Sequence, residues 1–193
     1  MVFCILPSSP QFALASDTPT ISRCKKYVPT IIRESHYKLG MDAPYWNFAG
    51  QIQQESRCNE GITAFDGGEG LGQFMPATAQ DLQDHNADLK SLGALPMPYN
   101  PQWAIRALII YDKNCYDKAS CKDWYFAFRA YNGGYGTLNK EIARSKSCVP
   151  SIVEKFCKRK VVVVKVGETL DLCKVNTSYP VIIFENSLNY KEH

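Results

Sequence analysis

Nowhere in this sequence of 193 residues is there a run close to the ~20 apolar residues that a membrane-spanning helix requires, so the pattern excludes a transmembrane helix. It also lacks a strong charge of either sign: 22 basic residues against 19 acidic ones leave a net +3. The one basic cluster, Lys158-Arg159-Lys160, reads as solvated surface, and nucleic acid is not an expected partner. Histidine is scarce, and His36, His85 and His193 show no ligand spacing; no C-x-x-C pair occurs either, so no metal is expected. A G-x-S-x-G serine elbow is missing. Glycines do cluster from Gly67 to Gly72, but Gln73 and Met75 occupy positions where G-x-G-x-x-G needs glycine, and no G-K-[ST] follows. A phosphate-cradling loop is thereby ruled out, and no cofactor is expected. Repeats and low-complexity tracts are absent as well.

What is present fits one domain. The chain is long enough to bury roughly two-thirds of its surface, and its composition, 45 % hydrophobic and 21 % charged, is that of a globular protein. Eight cysteines are many for a reducing compartment and point to disulfides in an oxidising one. Cys115 with Cys121, and Cys148 with Cys157, close short loops and are the first pairings to expect. At the N-terminus, Val2 to Leu6 is apolar and Ala13-Leu14-Ala15 has the small-x-small form of an export cleavage site. No Lys or Arg precedes that run, Pro7 and Pro10 interrupt it, and cleavage after Ala15 would remove Cys4. Residues 1–20 therefore read either as an export signal or as a disordered leader, ahead of one domain over 21–193.

Helical periodicity dominates. It predicts helices over Cys24–His36, over Ala43–Arg57 behind the start signals Asp42 and Pro44, and over Thr78–Leu89 behind Pro76. Pro101 opens the broadly apolar “QWAIRALIIYDKNC”, and “DWYFAFRAYNGG” is a further helix stopped by Gly133-Gly134. Trp46, Trp103 and Trp124 are assigned to the core. β-Branched residues on either side of Gly167-Glu168 predict a small hairpin from about Lys160 to Val175, and “VIIFENSLNY” after Pro180 a short closing helix.

One acidic residue is placed for acid chemistry. Glu55 stands near the C-terminal end of the Ala43–Arg57 helix, where the macrodipole is negative, and apolar neighbours would also disfavour its charged form. Both effects raise its pKa, so it can hold a proton near neutrality and donate it as a general acid.

“ESRCN”, followed by “AFDGGEGLGQFMPATA” and then by “AYNGG”, resembles the three-part pattern of the soluble lytic transglycosylases, the peptidoglycan-cleaving branch of the lysozyme superfamily. The connector “YNPQWAIRALIIY” is similar to the family's Asn-Pro helix, and “CKVNTSYPVIIF” with Tyr190 resembles the C-terminal segment of phage-type members. The resemblance spans about Tyr27 to Tyr190. It implies a mainly α, lysozyme-like fold with a small β-hairpin, and a catalytic Glu55 that protonates the bond between N-acetylmuramic acid and N-acetylglucosamine. The same carboxylate would then take the proton of the muramic C6 hydroxyl as a 1,6-anhydro ring closes. Ser56, Gly72, Gln73, Met75, Tyr131, Asn132 and Tyr179 would contact the sugars. Within this frame the glycines let a glycan strand approach the backbone, Gln73 offers both a donor and an acceptor, and Met75 an adaptable apolar wall.

Three positions depart from the pattern: Cys58 replaces an aromatic, Ala64 a serine and Gly68 an alanine. Cys58 suggests a disulfide in place of packing. Asp66 and Glu69 are additional carboxylates able to orient a water, which keeps open a goose-lysozyme-like hydrolase; a glycan-binding virion protein without turnover is the reading from another class. The expected partner is the peptidoglycan glycan strand, the expected state a monomer, and the expected location outside the cytoplasm: periplasmic, secreted or virion-associated.

Overall fold

A computed structural model describes residues 18–165 and 168–191; the leader motif and Cys4 lie outside them. The described helices are, in chain order, α1 (Pro19–Lys25), α2 (Val28–Leu39), α3 (Tyr45–Ser56), α4 (Pro76–His85), α5 (Ala87–Lys90), α6 (Pro101–Lys118), α7 (Trp124–Gly133), α8 (Tyr135–Ser145), α9 (Pro150–Val153) and α10 (Leu172–Ser187). Between α9 and α10 lies a two-stranded antiparallel hairpin, β1 (Val161–Lys165) and β2 (Glu168–Asp171), with Val162 opposite Leu170. The fold is mainly helical with one small hairpin, as the periodicity predicts.

Local chemistry sets the boundaries and corrects several expected ones. The helix expected over Cys24–His36 is two helices, because Pro29 has no N–H to continue α1 and instead occupies the first turn of α2. The expected Thr78–Leu89 helix starts earlier, at Pro76, and breaks at Asn86, which is extended while its Nδ2 donates to the Leu82 carbonyl at 2.7 Å. The hairpin ends at Asp171 rather than near Val175: the Asp171 carboxylate accepts from the backbone N–H groups of Cys173 and Lys174 and so caps α10. Residues 172–175 are therefore helical, and Pro180 lies inside α10 instead of preceding it. Hydroxyls stabilise that stretch, with Thr177 donating to the Cys173 carbonyl and Ser178 to that of Val175.

The disulfides pair differently from the short-loop expectation. They join Cys24 to Cys58, Cys121 to Cys148 and Cys157 to Cys173, while Cys115 is a buried free thiol on α6. Each bridge ties together elements that the tertiary fold brings side by side, a proximity that loop length alone does not report. Cys24–Cys58 pins α1 to the residue that follows the α3 terminus.

α6 is the axis of the core. Trp103, Ala104, Ile105, Ala107, Leu108, Ile109 and Ile110 are all buried, and Asn100 caps the helix by accepting from the N–H groups of Gln102 and Trp103. Trp103 is a full core residue, whereas Trp46 and Trp124 only flank the core and keep partial exposure, a correction to the assignment of all three to the interior. A second apolar cluster joins α7, α8 and α9, and Tyr111, Trp124, Tyr131 and Phe184 pack against both clusters. Ion pairs stitch the helices: partly buried Arg106 on α6 with buried Glu34 on α2, and Arg129 on α7 with Glu141 on α8, both buried, each pair at 2.7 Å.

The contact that positions the site is between α3 and α10. They approach at Gly50, where a Cβ would lie 2.5 Å from the Ile183 carbonyl oxygen and 2.8 Å from the Ser187 nitrogen. Both atoms are backbone, so a methyl group here has to push the helices apart. Gly50→Ala is expected to destabilise the protein by about 1–3 kcal/mol despite its better helix propensity, read as a lowered urea midpoint. An unchanged or raised midpoint would contradict this close backbone contact.

Candidate active site

Glu55 is the penultimate residue of α3, which Arg57 ends in the left-handed conformation with φ 50°. The side chain keeps partial exposure, yet protein surrounds its carboxyl densely enough that desolvation raises its pKa to about 7. A hydrogen bond donated by the Tyr179 hydroxyl acts in the opposite direction, and the negative charge of Asp66 adds to the rise. Tyr179 engages Oε1. The other oxygen, Oε2, has no hydrogen-bond partner among the described residues and is not sealed from solvent. One carboxyl group is thus held by one oxygen and open at the other, titrating where a side chain can act as acid and as base.

The groups around it come from three further helices. Tyr179 is buried on α10, and its ring lies parallel to that of Tyr131 on α7, with centroids 6.4 Å apart and planes within 10°. The Tyr131 hydroxyl donates to the Gly72 carbonyl at 2.6 Å, and its ring meets Tyr111 of α6 edge-on at 5.1 Å. Beneath Tyr179, Gln51 Nε2 lies 3.3 Å from both the Tyr179 hydroxyl and Asp112 Oδ1. Burial pushes the Asp112 pKa well above the usual carboxylate range.

The glycine-rich loop has an internal reason for its composition. Gly70 has φ 66°, and a Cβ there would sit 1.8 Å from the Pro98 carbonyl oxygen; one at Gly72 would strike the Phe74 ring at 2.6 Å. At these two positions the loop packs closely on its own neighbours. Gly72 is buried and contributes its carbonyl to Tyr131. Gln73, at φ 50°, spends one N–H on the Gly70 carbonyl at 2.8 Å.

The other expected residues divide by position. Met75 is exposed immediately ahead of α4, and Asn132 is exposed near the end of α7, where its Oδ1 accepts from Asn176 at 3.3 Å. Ser56 is buried, and its hydroxyl donates to the Ile52 carbonyl within α3. Asp66 is exposed, accepts from the Gly68 N–H and acts on Glu55 through its charge. Glu69 pairs through its backbone with Phe74 and, as an isolated bridge, with Thr63. No motif or spacing in the sequence singles out Gln51 or Asp112. The one signal available was that each is a polar residue on an otherwise apolar helix face.

A family model described as “Transglycosylase SLT domain” matches residues 43–150, more than half of the chain. Among curated proteins no match is found. The matched stretch holds Glu55, the glycine loop, Tyr131 and Asn132, while Tyr179 enters from α10 beyond it.

A raised pKa has a stability consequence of defined sign. The native state keeps its proton on Glu55 up to about pH 7, whereas the unfolded chain loses it near the ordinary value of 4.5, so ionisation costs stability as pH rises through that window. Glu55→Gln, which cannot ionise, is expected to gain on the wild type between those pH values, reaching about 1–3 kcal/mol above them. Urea denaturation of both proteins from pH 4 upward measures the gap, and a gap independent of pH would contradict a desolvated carboxyl.

Proposed function

The chain belongs to the transglycosylase SLT domain family, and on that premise we propose that it is a peptidoglycan lytic transglycosylase with Glu55 as its single acid–base residue. SLT domains act on peptidoglycan outside the cytoplasm, and three disulfides accord with that setting. The observation that carries the proposal is the Glu55 carboxyl itself: raised to about 7, gripped at Oε1 by Tyr179 and open at Oε2.

In this reading the protonated Oε2 gives its proton to the oxygen joining N-acetylmuramic acid to N-acetylglucosamine. The substrate's acetamido group stabilises the positive charge that develops, which removes the need for a second enzyme carboxylate. Glu55, now ionised and supported by the Tyr179 hydrogen bond, removes the proton from the muramic C6 hydroxyl, whose oxygen closes the 1,6-anhydro ring. The proton taken balances the proton given, and no water is consumed. Ring closure gains from the hydroxyl being held in the same sugar as the reacting carbon. Tyr131, Gln73, Met75 and Asn132 are the residues proposed to contact the glycan, Gly72 acting through its hold on Tyr131. We place the catalytic domain at residues 21–193 and the protein in wall degradation during phage lysis or wall penetration.

Asp66 favours a second reading. It is exposed and close enough for its charge to act on Glu55, as a carboxylate directing a water would be. The products separate the two. Digestion of purified peptidoglycan is expected to give fragments with 1,6-anhydromuramic ends, each lighter by one water than a reducing end by mass spectrometry. Glu55→Gln should lower turnover at least 100-fold while leaving glycan binding intact. Reducing ends would establish the hydrolase with Asp66, and binding without cleavage by the wild type would remove the enzymatic assignment.

A further inference from the structure

Below Tyr179 lie two polar side chains with no surface exposure and no place in the reaction just described: Gln51 on α3 and Asp112 on α6. One nitrogen, Gln51 Nε2, reaches both the Tyr179 hydroxyl and Asp112 Oδ1 at 3.3 Å, one for each of its two hydrogens. Two acceptor atoms of this pair are left over, Gln51 Oε1 and Asp112 Oδ2, both buried and both without a hydrogen-bond partner among the described residues. A charged carboxylate supported by a single neutral amide in a dry interior is not sustainable. A carboxylic acid is: a proton on Asp112 Oδ2 directed at Gln51 Oε1 would satisfy both orphan atoms and close a cyclic acid–amide pair.

We infer that Asp112 is a neutral carboxylic acid paired with Gln51, and that this pair is a positioning device which aims the Tyr179 hydroxyl at Glu55. The remaining Gln51 N–H donates to the Tyr179 oxygen, so the Tyr179 proton has one direction left, toward Glu55 Oε1. Asp112 holds the amide in place by accepting from one Nε2 hydrogen and donating to Oε1, which leaves the second Nε2 hydrogen for the Tyr179 oxygen. Burial raises the pKa of Asp112 well beyond its usual range, in accord with the neutral form.

The inference rests on Glu55 being the acid of the proposed function, and the pair can be tested with and without turnover. Gln51→Leu and Asp112→Leu are each expected to lower kcat about tenfold with KM unchanged, because the hydroxyl of Tyr179 loses its aim. Asp112→Asn, which keeps an acceptor for Nε2 and supplies an N–H to Oε1, should restore kcat to within about threefold of wild type. In a Tyr179→Phe background Gln51→Leu should cost nothing further. The alkaline limb of the pH–rate profile should move to higher pH in Gln51→Leu, since a weaker bond from Tyr179 raises the Glu55 pKa. The titratable groups facing this centre are Tyr179 from α10, Tyr131 from α7, Tyr111, Asp112 and Cys115 from α6, and Asp66 from the loop.

Equal losses in both Tyr179 backgrounds would overturn the proposal, as would Asp112→Asn being as impaired as Asp112→Leu. Should the leucine variants fail to fold, infrared spectroscopy in a Glu55→Gln background reads the pair directly. A protonated carboxylic acid band near neutral pH that disappears in Asp112→Asn is expected whatever the substrate proves to be. Its absence would overturn the neutral acid while leaving the assignment of Glu55 untouched.

Discussion

Partial desolvation of one carboxyl, that of Glu55, is the constraint around which the site is arranged. A glutamate at the end of a helix is normally solvated, and its proton is gone well below neutrality. Here α10 crosses α3 at backbone distance, over Gly50, and brings the Tyr179 ring down beside Glu55. Desolvation outweighs the Tyr179 hydrogen bond, so the net effect is a raised pKa. That bond still matters: it favours the ionised form. Raising the resting pKa and supporting the anion are opposed effects, and the proposed role, acid first and base second, draws on both.

The surrounding elements serve the same end by fixing positions. The glycine loop is braced by Gly70 against Pro98 and by Gly72 against Phe74, which leaves the Gly72 carbonyl in place to receive the Tyr131 hydroxyl. Tyr131 in turn lies parallel to Tyr179 and against Tyr111. Cys58, bonded to Cys24, holds the chain immediately after the α3 terminus, where Arg57 and Cys58 both adopt positive φ. Residues of α6, α7 and α10 and the glycine loop are thereby linked in one chain of contacts that ends at Glu55 on α3.

The sequence made part of this legible. Glu55, the loop, Tyr131 and Asn132 occur in short contiguous strings whose spacing is set by local geometry, and the helices around them follow from periodicity and proline. Other features depend on contacts between segments far apart in the chain. Asp112 stands in the run “IIYDKNC”, and nothing local says that it is sealed beneath Tyr179, 67 residues further on. The disulfide partners are likewise settled by tertiary proximity, which is why short loops misled. Pro180 read as the start of a helix because proline so often is, yet Asp171 had already begun that helix and Pro180 is buried within it. The close approaches of Gly70 to Pro98 and of Gly72 to Phe74 are likewise tertiary facts that the glycine spacing does not report.

The central claim concerns the protonation of one side chain, and carbon-13 NMR of glutamate-labelled protein observes it directly. The carboxyl carbon assigned through Glu55→Gln should titrate with an apparent pKa near 7, and higher still in Tyr179→Phe, where the hydrogen bond that favours the anion is gone. A titration near 4.5, the ordinary glutamate value, would contradict the account.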